Sequence, residues 1–226
     1  AAGLNNPCLS GDLTMALTPL NFRDLGGIEA HGGGVRGGAL FRAEGPANFG
    51  PEHQAELRPL GIGFIFDLRS AKERESHPHD WQDADCRWLG LDVNADLRVF
   101  GHDGRERLSL GEQGELAIDI MCETYREIPD ALAPHWVTIG ESLLEGRPAI
   151  VNCTAGKDRT GVTSALLLSV AGVDDDVPTV VGDVDELALD AAHAGHENVT
   201  DRLIKMHAVH VLKYDLDRLR LQRLIP

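Results

Sequence analysis

A cysteine and an arginine lie close together in the stretch 149–164, which reads AIVNCTAGKDRTGVTS. Cys153 ends a short apolar run, Arg159 follows it within the same stretch, and an apolar segment with helical character comes next. A thiolate is a strong nucleophile, and a guanidinium can hold two oxygens of one phosphate group. This spacing predicts a loop that binds a phosphate group and attacks its phosphorus atom with sulfur.

The positions between these two residues suit an anion-binding loop. A loop that leads from a strand into the N-terminus of a helix directs backbone N–H groups at an anion, and the helix dipole adds to their attraction. Gly156 allows the backbone to approach the ligand closely. The same positive field favours the ionised thiol of Cys153, and the hydroxyl of Thr160 is expected to donate a hydrogen bond to the sulfur. A buried structural cysteine is the plain alternative, but it leaves the charged residues 157–159 unexplained.

The elements that must position this loop predict an α/β fold with a central, mainly parallel sheet flanked by helices. Residues 62–68 and 148–153 are nearly continuous apolar runs, typical of strands buried on both faces. Residues 86–93 predict a weaker strand, and 21–44 predict short strands joined by glycine turns. Helices are predicted over 51–61, 112–128, 130–145, 161–172 and about 199–224. We expect one domain over 1–226, with the loop between a buried strand and a helix.

Composition restricts the partners. The chain has 226 residues, with 36 acidic against 21 basic side chains and a net charge of −15. Nucleic acids are held by surplus Lys and Arg, so this balance argues against them as partners. No apolar run approaches the ~20 residues that span a bilayer, so we expect no stable membrane insertion. The four cysteines are widely spaced, which predicts reduced thiols, no metal centre and a cytoplasmic location.

The loop NCTAGKDRTG resembles the signature of the cysteine-dependent protein tyrosine and dual-specificity phosphatases. Its Lys-Asp pair is similar to an atypical bacterial branch that acts on phosphotyrosine, phosphoserine and phosphothreonine and, in some members, phosphoinositides. NFRDLGG (21–27) and FDLRSAKERE (66–75) resemble the same branch, so the resemblance extends over about 20–185. It implies a phosphomonoester hydrolase of phosphorylated proteins or phosphoinositides, with a phosphate ion held in the loop and no cofactor.

The resemblance also implies a role for each residue of the loop. Cys153 would form a cysteinyl-phosphate, and Arg159 with the loop amides would stabilise the transition state. The phosphate-binding residues would be Thr154, Ala155, Gly156, Lys157 and Thr160.

A carboxylic acid should protonate the leaving oxygen and later activate water. Asp158 is the favoured residue for this step. Asp67, at the end of a buried strand, and Asp92, in LGLDVNAD, are the other candidates. Asp67 has an alternative interpretation as a partner of Arg69 or as a helix cap at RSAKE.

Asn152 departs from the resemblance, because these phosphatases usually carry a histidine before the nucleophile. Asparagine can hydrogen-bond the loop but carries no positive charge. This leaves open a second function, that of a non-catalytic phosphate-binding pseudophosphatase. The pairs His193/His196 and His207/His210 could share a helix face and hold a metal, although surface histidines are the favoured interpretation.

Overall fold

The computed structural model describes residues 20–79, 81, 83–95 and 125–173. Within this part of the chain, five strands form one sheet in the order β1-β4-β7-β5-β6, and two further strands form a hairpin. The sheet contains β1 (Arg23–Asp24), β4 (Leu40–Ala43), β5 (Phe64–Asp67), β6 (Arg87–Gly90) and β7 (Ala149–Asn152). The hairpin, which the glycine-rich segment predicts, consists of β2 (Glu29–Ala30) and β3 (Gly33–Gly34).

Strand β7 occupies the middle of the sheet. It pairs in parallel with β4 on one side and with β5 on the other, while β6 continues the parallel set and β1 closes the far edge antiparallel. The prediction of a mainly parallel α/β sheet is therefore confirmed. Ala43 and Asp67 both pair with Asn152, so three strands end at one level. The carboxyl ends of parallel strands are where open sheets of this kind bind ligands.

Helices cover both faces of the sheet. They are α1 (Pro51–Leu57), α2 (Ala71–Ser76), α3 (125–132), α4 (Trp136–Leu144) and α5 (Asp158–Val170). Short 3-10 turns lie at Pro46–Asn48, Arg58–Leu60 and Ala133–His135. Among the described residues, no helix is long and apolar enough to cross a bilayer.

Alternate residues of the strands enter two hydrophobic cores, one on each face. Phe64, Phe66 and Val151 pack with α5 and with the helices over 125–144, whereas Ile65 and Ile150 pack with α1 and the segment before it. Strands buried on both faces explain why their sequences are continuous apolar runs rather than alternating ones.

Helix boundaries differ from the prediction in several places. The helix expected over 130–145 is divided by the 3-10 turn at Ala133–His135, and α4 begins only at Trp136. The helix expected over 161–172 begins earlier, at Asp158, because residues 158–160 form its first turn. Its last residue is Val170, and Gly172 lies two positions further on with φ +85°. The break expected near residue 129 is wrong, since the chain stays helical from 125 to 132. Ile128 and Leu132 are both fully buried there, and this packing outweighs the missing amide of Pro129. The predicted segments at 112–124 and 199–224 lie outside the described residues.

Candidate active site

The predicted phosphate-binding stretch forms a tight loop at the end of β7. We call residues 153–158 the anion loop. Cys153 directly follows the strand and is 3% exposed, and the loop runs into α5, for which Lys157 is the N-cap residue. Gly156 has φ +68°, and a Cβ atom there would lie 2.5 Å from the carbonyl oxygen of Ala43. Only glycine fits this position, because both the backbone angle and the neighbouring strand exclude a side chain.

The carbonyl groups of the anion loop point outward and are held from outside. The amide of Gly45 donates to the carbonyl of Thr154 at 3.0 Å. The side chain of Asn21 donates to the carbonyls of Ala155 and Gly156 at 3.2 and 3.1 Å. The segment NFRDLGG, which the sequence marks as part of the resemblance, therefore supports the loop from behind.

Arg42 makes a second contact of this kind from strand β4. Its side chain is 1% exposed, and Nη2 donates to the carbonyls of Gly156 at 2.6 Å and Lys157 at 3.4 Å. Asn152 adds a longer contact of 3.4 Å to the carbonyl of Cys153. Arg42 thus places a buried positive charge directly behind the loop.

With its carbonyls held outward, the anion loop presents its amides to the opposite side. Within the described part of the chain, the amides of residues 154–158 donate to no protein acceptor. A row of free N–H groups beside a helix N-terminus binds an anion through dipoles and needs no net positive charge. The loop can therefore hold a dianion although the whole chain carries a charge of −15.

Arg159 lies in the first turn of α5 and is fixed by a carboxylate. Its two terminal nitrogens are both 2.8 Å from oxygens of Glu73. Nη1 also lies 3.3 Å from the carbonyls of Leu68 and Val93, and Nη2 lies 3.3 Å from the hydroxyl of Thr154. Arg159 is 5% exposed, and these contacts hold its guanidinium in one orientation beside the loop.

Glu73 connects the loop to the start of α2. Ser70 is the N-cap of that helix, and the two side chains form a capping box in which Ser70 N donates to Glu73 at 2.9 Å. The hydroxyl of Thr154 donates to the same carboxylate. Burial alone would raise the pKa of Glu73, but the hydrogen bonds from Arg159, Thr154 and Ser70 hold that pKa far below its ordinary value. Glu73 is therefore a fixed anion.

Asp158, the favoured acid, is the first residue of α5 and has one oxygen occupied. The phenol of Tyr125 donates to Oδ1 at 2.6 Å. Tyr125 belongs to α3 and is 6% exposed. Burial raises the pKa of Tyr125, and the nearby Asp158 and Cys153 raise it further. The phenol is therefore a hydrogen-bond donor at any pH at which the protein would work.

Asp67, the second acid candidate, forms a buried ion pair with Arg69. Its carboxylate is fully buried and receives Arg69 Nε at 3.0 and 3.1 Å and Nη2 at 2.8 Å. Asn152 Nδ2 donates to the same carboxylate at 3.0 Å. The alternative interpretation as a partner of Arg69 describes this geometry, whereas the helix cap at RSAKE is Ser70.

Asp92, the third candidate, forms a salt bridge at the surface. It pairs with Arg74 at 2.8 Å and is 46% exposed. Its φ of +46° is unusual for a residue with a side chain. The carbonyl of Val93, the next residue, accepts a hydrogen bond from Arg159. Burial lowers the pKa of nearby His135, and Asp92 opposes that shift.

The other predicted phosphate-binding residues differ in exposure. Lys157 and Ala155 are exposed at the rim of the loop. The hydroxyl of Thr160 is buried, but within the described residues it has no hydrogen-bond partner, so the expected bond to the sulfur of Cys153 is not formed. Thr160 is part of α5, where a β-branched side chain has few χ1 rotamers. The rotamer that it adopts does not bring its hydroxyl into hydrogen-bond contact with the thiol.

Sequence reasoning missed four residues that hold the site: Glu73, Tyr125, Arg42 and Asn21. Glu73 had a readable signal, since S-x-x-E marks a capping box. Arg42 and Tyr125 had none, because their contacts join segments far apart in the chain. Across the described residues, no group of His, Cys, Asp and Glu side chains could hold a metal ion. The histidine pairs at 193–210 lie outside them.

Comparison with known proteins agrees with this geometry. The model of the tyrosine phosphatase family matches residues 16–183, which is more than half of the chain. The chain belongs to the tyrosine phosphatase family. It is 32% identical over 183 residues to the triple specificity protein phosphatase PtpB of Mycobacterium tuberculosis, covering 70% of this chain and 63% of the relative.

Two further relatives match a smaller part of this chain. One, from Cupriavidus necator, bears a name that places it among the tyrosine-protein phosphatases and is 30% identical over 158 residues, 69% of this chain and 56% of the relative. The other, a tyrosine-protein phosphatase of Nostoc commune, is 29% identical over 119 residues, 52% of this chain and 38% of the relative. The chain therefore spans less than two thirds of the length of these curated relatives.

Proposed function

We propose that the protein hydrolyses phosphomonoesters through a cysteinyl-phosphate intermediate. The observation that carries this proposal is the anion loop, in which Cys153 is followed by amides that donate to no acceptor among the described residues, while Glu73 fixes Arg159 beside them. A binding protein would need the amides and the arginine alone. The cysteine at the base of the loop and the aspartate at its end add the two groups that hydrolysis requires.

In the first half-reaction, the thiolate of Cys153 attacks phosphorus and the bond from phosphorus to the ester oxygen breaks. The loop amides and the guanidinium of Arg159 hold the three equatorial oxygens as their charge redistributes. Asp158 gives its proton to the leaving oxygen, which departs as an alcohol or a phenol. Asp158 is then a carboxylate, and the phosphoryl group is on sulfur.

In the second half-reaction, the Asp158 carboxylate removes a proton from water, and the water oxygen attacks phosphorus. The sulfur–phosphorus bond breaks, inorganic phosphate leaves and the Cys153 thiolate is restored. Each proton and electron pair returns to its starting group, so one turnover needs water and no cofactor.

For the substrate, we infer a phosphorylated protein, with phosphotyrosine as the first choice. The names of the relatives support this, since they are tyrosine-protein phosphatases or a triple specificity protein phosphatase. Lys157 is exposed at the rim of the loop, where an ammonium group can contact a second phosphate. This favours phosphoinositides as a further substrate class, and phosphoserine and phosphothreonine would reach the same loop.

The test is hydrolysis of p-nitrophenyl phosphate in the presence of EDTA, repeated with orthovanadate. We expect turnover that EDTA leaves unchanged and vanadate inhibits, because every reacting group belongs to the chain. Cys153→Ser should abolish turnover but still bind inorganic phosphate, since it retains the amides and Arg159. A wild-type protein that binds phosphate without hydrolysing any phosphomonoester would instead be a pseudophosphatase.

A further inference from the structure

Tyr125 stands apart from the loop in sequence but reaches it in space. It lies on α3, 33 residues before Asp158, and its phenol is 2.6 Å from Asp158 Oδ1. The ring packs in the core that contains Cys153. Asp158 is bound on this one oxygen within the described residues, so Oδ2 remains for another partner.

We propose that Tyr125 is a positioning residue that determines which oxygen of Asp158 transfers the proton. The phenol holds Oδ1, and Oδ2 is therefore the oxygen that protonates the leaving group and later takes a proton from water. The proton of Tyr125 stays on the phenol throughout both half-reactions. This inference rests on the proposed hydrolase function and deepens it.

Tyr125 acts by fixing the orientation of the Asp158 carboxyl group. A carboxyl side chain at the start of a helix has several positions open to it, and only one of them aims an oxygen at the ester. A hydrogen bond to a charged group removes that freedom, and correct orientation is worth large factors in rate. The buried ring of Tyr125 cannot itself move to follow Asp158, because it is 6% exposed and packed in the core.

The experiment compares p-nitrophenyl phosphate, whose leaving group needs little protonation, with phenyl phosphate, which has the same ring and a poorer leaving group. Tyr125→Phe should lower kcat/KM for phenyl phosphate by about 10- to 100-fold. The kcat/KM for p-nitrophenyl phosphate should change little, because this quantity covers only the steps up to formation of the cysteinyl-phosphate and that leaving group needs little protonation. The double variant Tyr125→Phe/Asp158→Asn should be no slower than Asp158→Asn, because the two residues act as one unit.

Ser142→Ala is the matched control. It also removes a buried hydroxyl, whose hydrogen bond goes to the Thr138 carbonyl within α4 at 2.8 Å rather than to the loop. We expect it to leave the ratio of the two substrates unchanged. Equal losses on both substrates with Tyr125→Phe, or losses that add to those of Asp158→Asn, would overturn the inference while the hydrolase function stands. A wild-type protein without turnover would overturn both.

Discussion

Glu73 holds Arg159 beside the anion loop, with both terminal guanidinium nitrogens 2.8 Å from its two oxygens. Such a fork-to-fork pair fixes the plane of the guanidinium as well as its position. The plane matters because an arginine binds two phosphate oxygens only when it faces them edge-on. Glu73 therefore acts on the substrate through Arg159, and its own carboxylate never needs to touch the phosphate.

The first prediction concerns this pair. Glu73→Gln keeps the shape of the side chain but loses the charge that orients Arg159. We expect kcat/KM for p-nitrophenyl phosphate to fall by about 10- to 100-fold and phosphate binding by Cys153→Ser to weaken in parallel. Glu75→Gln, an exposed change on the same helix, is the control and should leave both unchanged. Full activity of Glu73→Gln would show that Arg159 is oriented by other groups.

The second prediction follows from the lowered pKa of Glu73. The folded state stabilises the ionised carboxylate of Glu73 relative to the unfolded state. Glu73 therefore adds stability above its ordinary pKa of 4.5. That stability is lost as the pH falls from there toward the folded pKa. The difference in urea unfolding midpoint between wild type and Glu73→Gln should have its largest value at pH 7 and should decrease below about pH 4.5. A difference that is constant from pH 7 to pH 3 contradicts it.

The third prediction separates the acid candidates. Asp158→Asn should lower kcat/KM for phenyl phosphate far more than kcat/KM for p-nitrophenyl phosphate. Loss of leaving-group protonation typically reduces the rate by about 10²- to 10⁴-fold. Asp67→Asn should instead lower the unfolding free energy by about 3–5 kcal/mol, since it leaves Arg69 buried without its carboxylate. Thermal unfolding measures this. A leaving-group effect from Asp67→Asn or Asp92→Asn, and none from Asp158→Asn, would reassign the acid.

The fourth prediction concerns Asn152, whose Nδ2 lies 3.0 Å from the buried carboxylate of Asp67. A histidine placed there by Asn152→His would meet this carboxylate, which favours the protonated imidazole. The added positive charge beside Cys153 should favour the thiolate, so iodoacetate should label Cys153 at lower pH than in the wild type. Identical labelling curves would mean that residue 152 acts on the loop through hydrogen bonds alone.

The fifth prediction concerns Arg42, the buried cation behind the loop. Its contact with the Gly156 carbonyl should polarise that peptide and strengthen the amides on the other side. In the Cys153→Ser background, Arg42→Met should weaken phosphate binding about tenfold or more, and Arg42→Lys should recover part of it. Arg36→Met is the matched control, since Arg36 also donates to a glycine carbonyl, that of Gly146 at 3.3 Å. If Arg42→Lys binds phosphate no better than Arg42→Met, the charge is not what matters.

The sequence predicts the reacting groups better than the groups that hold them. Cys153 and Arg159 can be identified from their spacing alone, because the chemistry of a phosphate loop is local. The strands β5 and β7 are also readable, since burial on both faces requires continuous apolar runs. Tyr125 and Arg42 are not readable in the same way. Their roles depend on which strand lies beside β7 and on where α3 crosses the sheet, and no local pattern encodes either.

The central position of β7 has a consequence for how the chain folds. Among the described strands it is the last in sequence, yet it lies between β4 and β5, whose paired residues precede it by 109 and 85 positions. Contacts of such high sequence separation form slowly. During synthesis, the edges of β4 and β5 that pair with β7 therefore stay unpaired until residues 149–152 have left the ribosome. Open strand edges promote aggregation, so chaperones should bind chains that stop short of residue 149 in preference to complete ones.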